Sequence, residues 1–325
     1  MSIARRRFLS LVASAATTPS FTRPVWADAY PTRPVHVIIN DAPGGAPDVA
    51  ARFISEWLSE QFGQPFIAEN RPGGGGNIGT EAVVRAPPDG YTLLLVSTTT
   101  AINVTIYENL NFNLVRDVAP VAGIVRIPLI MVVNPLFPAK SVPEFISYAK
   151  ANPGKLNMAS AGNGTGPHVA GELFKMMAGI DMVHVPYRGG PAALAAVLGG
   201  QADVYFVASS SSIQFIKAGK LSPLAVTTAT RWEGLPNVPS VSEFVPGYEA
   251  SVWFGIGAPK DTPAEIIDKL NSEINAGLAD IKLRSRFTDI GGRVMTGSAA
   301  DFGKLIADET AKWAKVVEFS GAKPD

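Results

Sequence analysis

The chain has 325 residues, 46% of them hydrophobic and 17% charged, with acidic and basic side chains balanced at 28 each. That supplies apolar material for one large or two medium buried cores and excludes an intrinsically disordered chain. No cysteine occurs and no basic run follows Arg7, which excludes disulfides, thiolate metal sites, a lipid-bearing cysteine and the electrostatic footprint of nucleic-acid binding.

Residues 1–29 form an export signal by pattern. Arg5-Arg6-Arg7 is a basic start, and Phe8 to Ala16 is an apolar stretch shorter than the roughly 20 residues of a membrane span. Arg5 to Leu9 fits the twin-arginine form R-R-x-F-L as well as an ordinary secretory leader. Small residues at Ala27 and Ala29 allow a mature chain beginning at Asp28 or Tyr30.

Beyond the leader, short runs rich in β-branched residues recur at Val35–Ile39, Tyr91–Val96, Leu129–Asn134, Leu156–Ala159, Met182–Val185, Val204–Val207 and Leu224–Thr227. Bounded by Gly, Pro, Asn or Asp, they predict buried parallel strands. Helical spacing puts Val49, Phe53, Trp57 and Leu58 on one face of a helix ending near Gly63. Val169, Leu173, Met176 and Met177 mark a second that stops at Gly179, and Leu194, Val197 and Leu198 a third that stops at Gly199-Gly200. Thr262 is expected to cap a helix with Pro263 at its first position, and a last helix is expected from about Ser298. The alternation predicts an α/β protein with two parallel-type sheets, helices on both faces of each. The strand-like segments Val121–Ile130 and Val252–Ala258 are expected to cross between two lobes, as a two-strand hinge. One lobe would then comprise residues 30–125 and 255–325, the other 126–254.

Two glycine-rich turns stand between a predicted strand and a helix, Asn40–Asp48 in one half and Ser160–His168 in the other. Such a turn presents unpaired backbone N–H groups at the positive end of a helix, which suits an anion. Two of them, without a nucleophile in either, predict a small anionic ligand held between lobes.

Other chemistry is mostly absent. Gly74-Gly75-Gly76-Asn77-Ile78-Gly79 satisfies G-x-G-x-x-G, yet no strand precedes it directly and no acid follows at the dinucleotide spacing. A tight turn into a closely packed helix is the better reading. No G-x-S-x-G, H-E-x-x-H or P-loop occurs, and three scattered histidines, His36, His168 and His184, predict no metal site and no cofactor. His36 and His184 fall inside strand patterns. His168 is the one histidine placed to approach a ligand. Ser209 to Ser212 reads as a capping cluster.

The motifs Ala42-Pro43-Gly44-Gly45-x-x-Asp48, Glu69-Asn70-Arg71-Pro72-Gly73, Asp89-Gly90-Tyr91-Thr92-Leu93, Gly162-Asn163-Gly164-Thr165-x-x-His168, His184-Val185-Pro186-Tyr187-Arg188-Gly189 and Pro246-Gly247-Tyr248-Glu249 occur in this order. In order and spacing the chain resembles the Bug-type solute receptors of tripartite tricarboxylate transporters, from Tyr30 to the C-terminus. The resemblance implies a periplasmic, two-lobed binding protein of the Venus-flytrap kind (type II), monomeric and without enzymatic activity. Such a receptor closes over a small di- or tricarboxylate or related acid and delivers it to membrane transporter subunits. It also implies that Ala42, Pro43, Gly44 and Gly45, with Asn163, Gly164 and Thr165, grip a carboxylate, and that Asp48 fixes the first turn.

Departures from the family pattern bear on the ligand. Asn40-Asp41 replaces a proline–aromatic pair, so Asp41 either reads an amine or hydroxyl on the ligand or faces solvent. Arg188 after Tyr187 replaces the commoner lysine, and either grips a distal carboxylate or sits on the surface. Ser97, Thr98, Thr99 and Thr100 supply hydroxyls at a strand's carboxyl end. Val207-Ala208-Ser209 stands where many relatives carry an acid, which argues against amino-acid recognition there. Two other functions remain open on the same fold: a sensor reporting to a membrane kinase, and an enzyme using His168 as acid or base.

Overall fold

The computed structural model describes residues 30–324; the export signal expected over residues 1–29 lies outside them. In chain order the first elements are β1 (Val35–Ile39), α1 (Ala46–Phe62), β2 (Phe66–Asn70), α2 (Asn77–Val84), β3 (Thr92–Ser97), α3 (Thr98–Ile106), α4 (Leu114–Asp117) and β4 (Val118–Val133). Then come α5 (Val142–Ala151), β5 (Asn157–Ser160), α6 (Gly166–Ala178), β6 (Val183–Pro186), α7 (Gly190–Leu198), β7 (Val204–Ala208), α8 (Ser209–Lys217) and β8 (Ser222–Val226). The chain ends with β9 (Ser251–Pro259), α9 (Ala264–Ala279), α10 (Ile281–Asp289), β10 (Arg293–Val294) and α11 (Ala299–Ser320).

The fold is α/β and two-lobed. In the first lobe β1 pairs in parallel with β2 and β3. In the second, β5 pairs in parallel with β6 and β7. Strand β4, 16 residues long, belongs to both. From Val118 to Pro128 it pairs with β9, and from Leu129 to Val133 with β7 and β8, always antiparallel. Each sheet is therefore mixed where the sequence predicts parallel pairing. The physical reason is the crossing itself: a strand that leaves one lobe and a strand that returns must run in opposite directions.

Consecutive apolar residues reflect cores on both faces of each sheet. In β3, Leu93 and Leu95 face the core built with Ile54, Leu58 and Phe287, while Leu94 and Val96 face the one holding Trp253 and Phe302. In β4, Leu129, Met131 and Val133 join one core of the second lobe and Ile130 and Val132 the other. A strand buried on both sides has no polar alternation to show. Helix α11 serves both lobes, since Phe302 and Ile306 pack in the first and Trp313, Val316 and Val317 in the second.

Several local expectations shift. Thr262 does not cap α9; its hydroxyl donates to the Pro259 carbonyl at 2.7 Å and Pro263 takes the cap position. Ser298 does cap α11, with Asp301 completing a reciprocal box. Helix α1 stops at Gly63 and α6 at Gly179, both left-handed as expected of glycine stops. The glycine run Gly74–Gly76 is one tight helical turn, where a side chain at Gly75 would fall 2.5 Å from the Tyr107 hydroxyl. It packs closely, as a tight turn into the next helix.

Candidate functional site

Each glycine turn is tied in the same way. In the first, Gly44 has φ +84°, a conformation that excludes most side chains. Its N–H donates to Oδ2 of Asp48 at 2.9 Å. Asp48 also accepts from Nε of Arg52 at 3.0 Å. Burial pushes the Asp48 carboxyl up, but the hydrogen bonds from Arg52 and Gly44 outweigh it and hold the group below the usual range. In the second turn Gly164 has φ +72°, and its N–H donates to Nδ1 of His168 at 3.1 Å. Burial, then the neighbouring His184 and Lys175, depresses the His168 imidazole to about 3. The ring stacks on His184 with centroids 3.7 Å apart. Both turns are thus locked by a side chain four residues on, in the first turn of the helix.

Residues of both lobes enclose a cleft of about 490 Å³. Five helix starts reach its wall: Gly45–Pro47 of α1, Ser97–Thr99 of α3, Thr165–Pro167 of α6, Gly189–Pro191 of α7, and Ala208, Ser210 and Ser211 of α8. Ser97 caps α3 with its own hydroxyl. The other four helices have no side-chain cap, so their first N–H groups are open to a ligand. Three of them begin alike, with proline in second place at Pro47, Pro167 and Pro191. Proline removes a donor, leaving those on either side to point outward. No lining residue is Lys, Arg or His, and Asp41 is the sole charged one. Positive potential in this cleft comes from backbone dipoles, each contributing about 0.3–1 kcal/mol at a surface and up to about 2 kcal/mol when partly buried.

Of the residues singled out from sequence, Asp41, Gly44, Gly45, Ser97, Thr98, Thr99 and Thr165 line the cleft. Thr165 holds the cap position of α6 without capping it through its side chain; its hydroxyl donates to the Gly162 carbonyl at 2.8 Å and closes the turn instead. Ten others stand outside the lining. Ala42 and Pro43 are exposed on the first turn, and Asp48 sits beneath it. Thr100 is buried between Asn40 and Ser97. Asn163 lies on the second turn, while Gly164 packs against Ile106 of α3. His168 is buried behind that turn with Nδ1 engaged, away from the cleft. Tyr187 packs on the second lobe's core and Arg188 is exposed. Ser209 is fully buried against Gly291.

The expected serine capping fails. Ala208 holds the cap position of α8, and the hydroxyls of Ser209 and Ser210 are buried without a partner. Sequence reasoning did not place Gly189–Pro191 or Tyr205 at the site, and read Ser210 and Ser211 only as part of a capping cluster. The Gly190-Pro191 pair was the available signal, since it repeats the Gly166-Pro167 start.

A family model described as tripartite tricarboxylate transporter family receptor matches residues 50–321. The chain belongs to this receptor family. The Bug-type resemblance read from the motifs is borne out, for the chain is 34% identical to Protein BugT of Bordetella pertussis, covering 98% of both chains. Among solved structures it is similar to Rhodopseudomonas palustris Rpa4515 with adipate, at 35% identity and TM-score 0.82, over 91% of this chain and 100% of that one. It is also similar to MatC (Rpa3494) from Rhodopseudomonas palustris with bound malate, at 30% identity and TM-score 0.79, over 89% and 100%. Among the described residues no helix is long and apolar enough to cross a membrane, and no group of three or more candidate ligands could hold a metal ion.

Proposed function

We propose that this family member is a periplasmic receptor that captures a small organic carboxylate between its lobes and delivers it to a tripartite tricarboxylate-type membrane transporter. The observation that carries this reading is the convergence of four uncapped helix starts, from both lobes, on one cleft without a basic side chain. A carboxylate there accepts from backbone N–H groups of α1 on one side and α6 on the other, so it bridges the lobes. The adipate and malate in two similar structures support that ligand class. In this reading Gly44, Gly45 and Thr165 line the grip, Ala42, Pro43, Asn163 and Gly164 shape the two turns that carry it, the lobes meet at Pro128–Leu129 and Ser251–Val252, and closure turns about those strands.

The protein binds without turnover. His168, the one acid–base candidate from sequence, has its Nδ1 committed to Gly164, and the lining offers no nucleophile–base pair. Isothermal titration of the mature protein against a panel of small acids should find a binder at micromolar affinity, about −8.2 kcal/mol. Turnover of an acid without a stable complex would overturn the receptor reading.

A further inference from the structure

The cleft attracts anions, yet the one charged side chain on its wall is a carboxylate. Asp41 takes the N–H of Ala42 on Oδ1 at 2.7 Å. Among the described residues no basic side chain pairs with it, although Arg52 and Asn70 stand near the same turn and are engaged with Asp48 and with each other. Asp41 and the N–H donors of Gly45 and Ala46 belong to one short turn at the start of α1. A carboxylate gripped by those donors is therefore brought close to a second negative charge. Each carboxylate weakens the other unless a hydrogen-bond donor stands between them.

We infer that Asp41 selects an acid bearing a hydroxyl or ammonium group beside its carboxylate, and rejects the same acid without that group. The inference rests on the carboxylate-receptor reading and adds what the ligand must carry besides the carboxylate. The donor sits between the ligand's carboxylate and Oδ2 of Asp41, giving this exposed acid at the cleft wall a partner that no side chain of the protein provides. An acid lacking the group leaves Asp41 facing the bound anion. Stripping water from the Asp41 carboxyl, only partly offset by the Ala42 N–H, raises its pKa from the usual carboxylate range, the direction a site short of a cationic or donor partner gives.

The test is isothermal titration with matched acids that differ in one group: succinate, malate and aspartate, then glutarate, 2-hydroxyglutarate and glutamate. The wild-type protein should bind a hydroxy or amino member at least about tenfold more tightly than its plain counterpart, the step worth 1.4 kcal/mol. Asp41→Ala should bring the pair to within about threefold of each other by weakening the donor-bearing acid and strengthening the plain one. Asp41→Asn should keep part of the hydroxy preference and lose the amino preference. Retained binding of the plain acid by both variants shows that the turn still stands. A wild-type preference for the plain acid, or a preference that survives Asp41→Ala, overturns the inference while leaving the receptor reading intact. Failure of every acid to bind the wild-type protein overturns both.

Discussion

The backbone N–H of Gly164 donates to Nδ1 of His168 at 3.1 Å, so that nitrogen must be unprotonated for the second glycine turn to keep its shape. The imidazole titrates at about 3 in the folded chain against 6.5 in an unstructured one. Between those values the unfolded chain holds the extra proton. The contribution is full above pH 6.5 and is lost as pH falls toward 3. From pH 7 to pH 5 the loss is about 2 kcal/mol. Thermal unfolding across that range should show it, and His168→Gln should flatten the dependence. An unchanged slope in the variant would place the acid sensitivity elsewhere.

Asp48 is the counterpart in the first lobe, and its charge sign reverses the direction. A carboxylate held below its ordinary value stabilises the fold above about pH 4 and loses that contribution in more acid solution. Asp48→Ala removes the acceptor for Gly44 and the partner of Arg52. It should cost about 1–2 kcal/mol of stability and weaken acid binding, because the α1 donors are no longer held in place. Equal affinity beside reduced stability would show that the grip survives without the tie.

Ser210 offers the opposite pairing of effects. Its hydroxyl is buried without a partner while the residue lines the cleft. Removing an unsatisfied polar group should leave stability unchanged or raise it by up to about 1 kcal/mol. If that hydroxyl bonds the acid, its loss should cost about 0.5–1.5 kcal/mol of binding. Ser210→Ala, measured by thermal unfolding and by titration, separates the two. A drop in stability with unchanged affinity would make Ser210 a structural residue.

How much of this was legible beforehand depends on range. The two-faced strands, the glycine stops at Gly63 and Gly179 and the helix start near Ser298 rest on local periodicity and backbone conformation, and they read directly. So did the two glycine turns. The edge strand β2 is only half-buried along its length and carries Glu69 and Asn70, so it has no hydrophobic run to show. Thr165 and Ser209 are residue types that favour caps, but Thr165 gives its hydroxyl to the Gly162 carbonyl within its own turn, and tertiary packing buries that of Ser209 beside Gly291. His168 stands one helical turn beyond Gly164, which was visible. That its ring turns inward against His184 was not, since the stacking joins α6 to β6 across the second sheet.

Gly166 couples the second glycine turn to the returning strand. A Cβ there would overlap Cγ1 of Val252 in β9, and Gly166 needs no left-handed backbone. Gly166→Ala is therefore a steric wedge between the start of α6 and the strand that crosses between lobes. Overpacking of this kind costs about 1–3 kcal/mol. The displaced α6 donors should also weaken acid binding by about tenfold, near 1.4 kcal/mol. Val252→Ala removes the methyl group that the new Cβ meets, so the double variant should recover most of both losses, with a coupling energy of about 1 kcal/mol or more. Titration and thermal unfolding of the four proteins in the cycle decide it. Additive losses in the double variant would mean that Gly166 and Val252 act independently, and the proposed link between the grip and the hinge strand would fall.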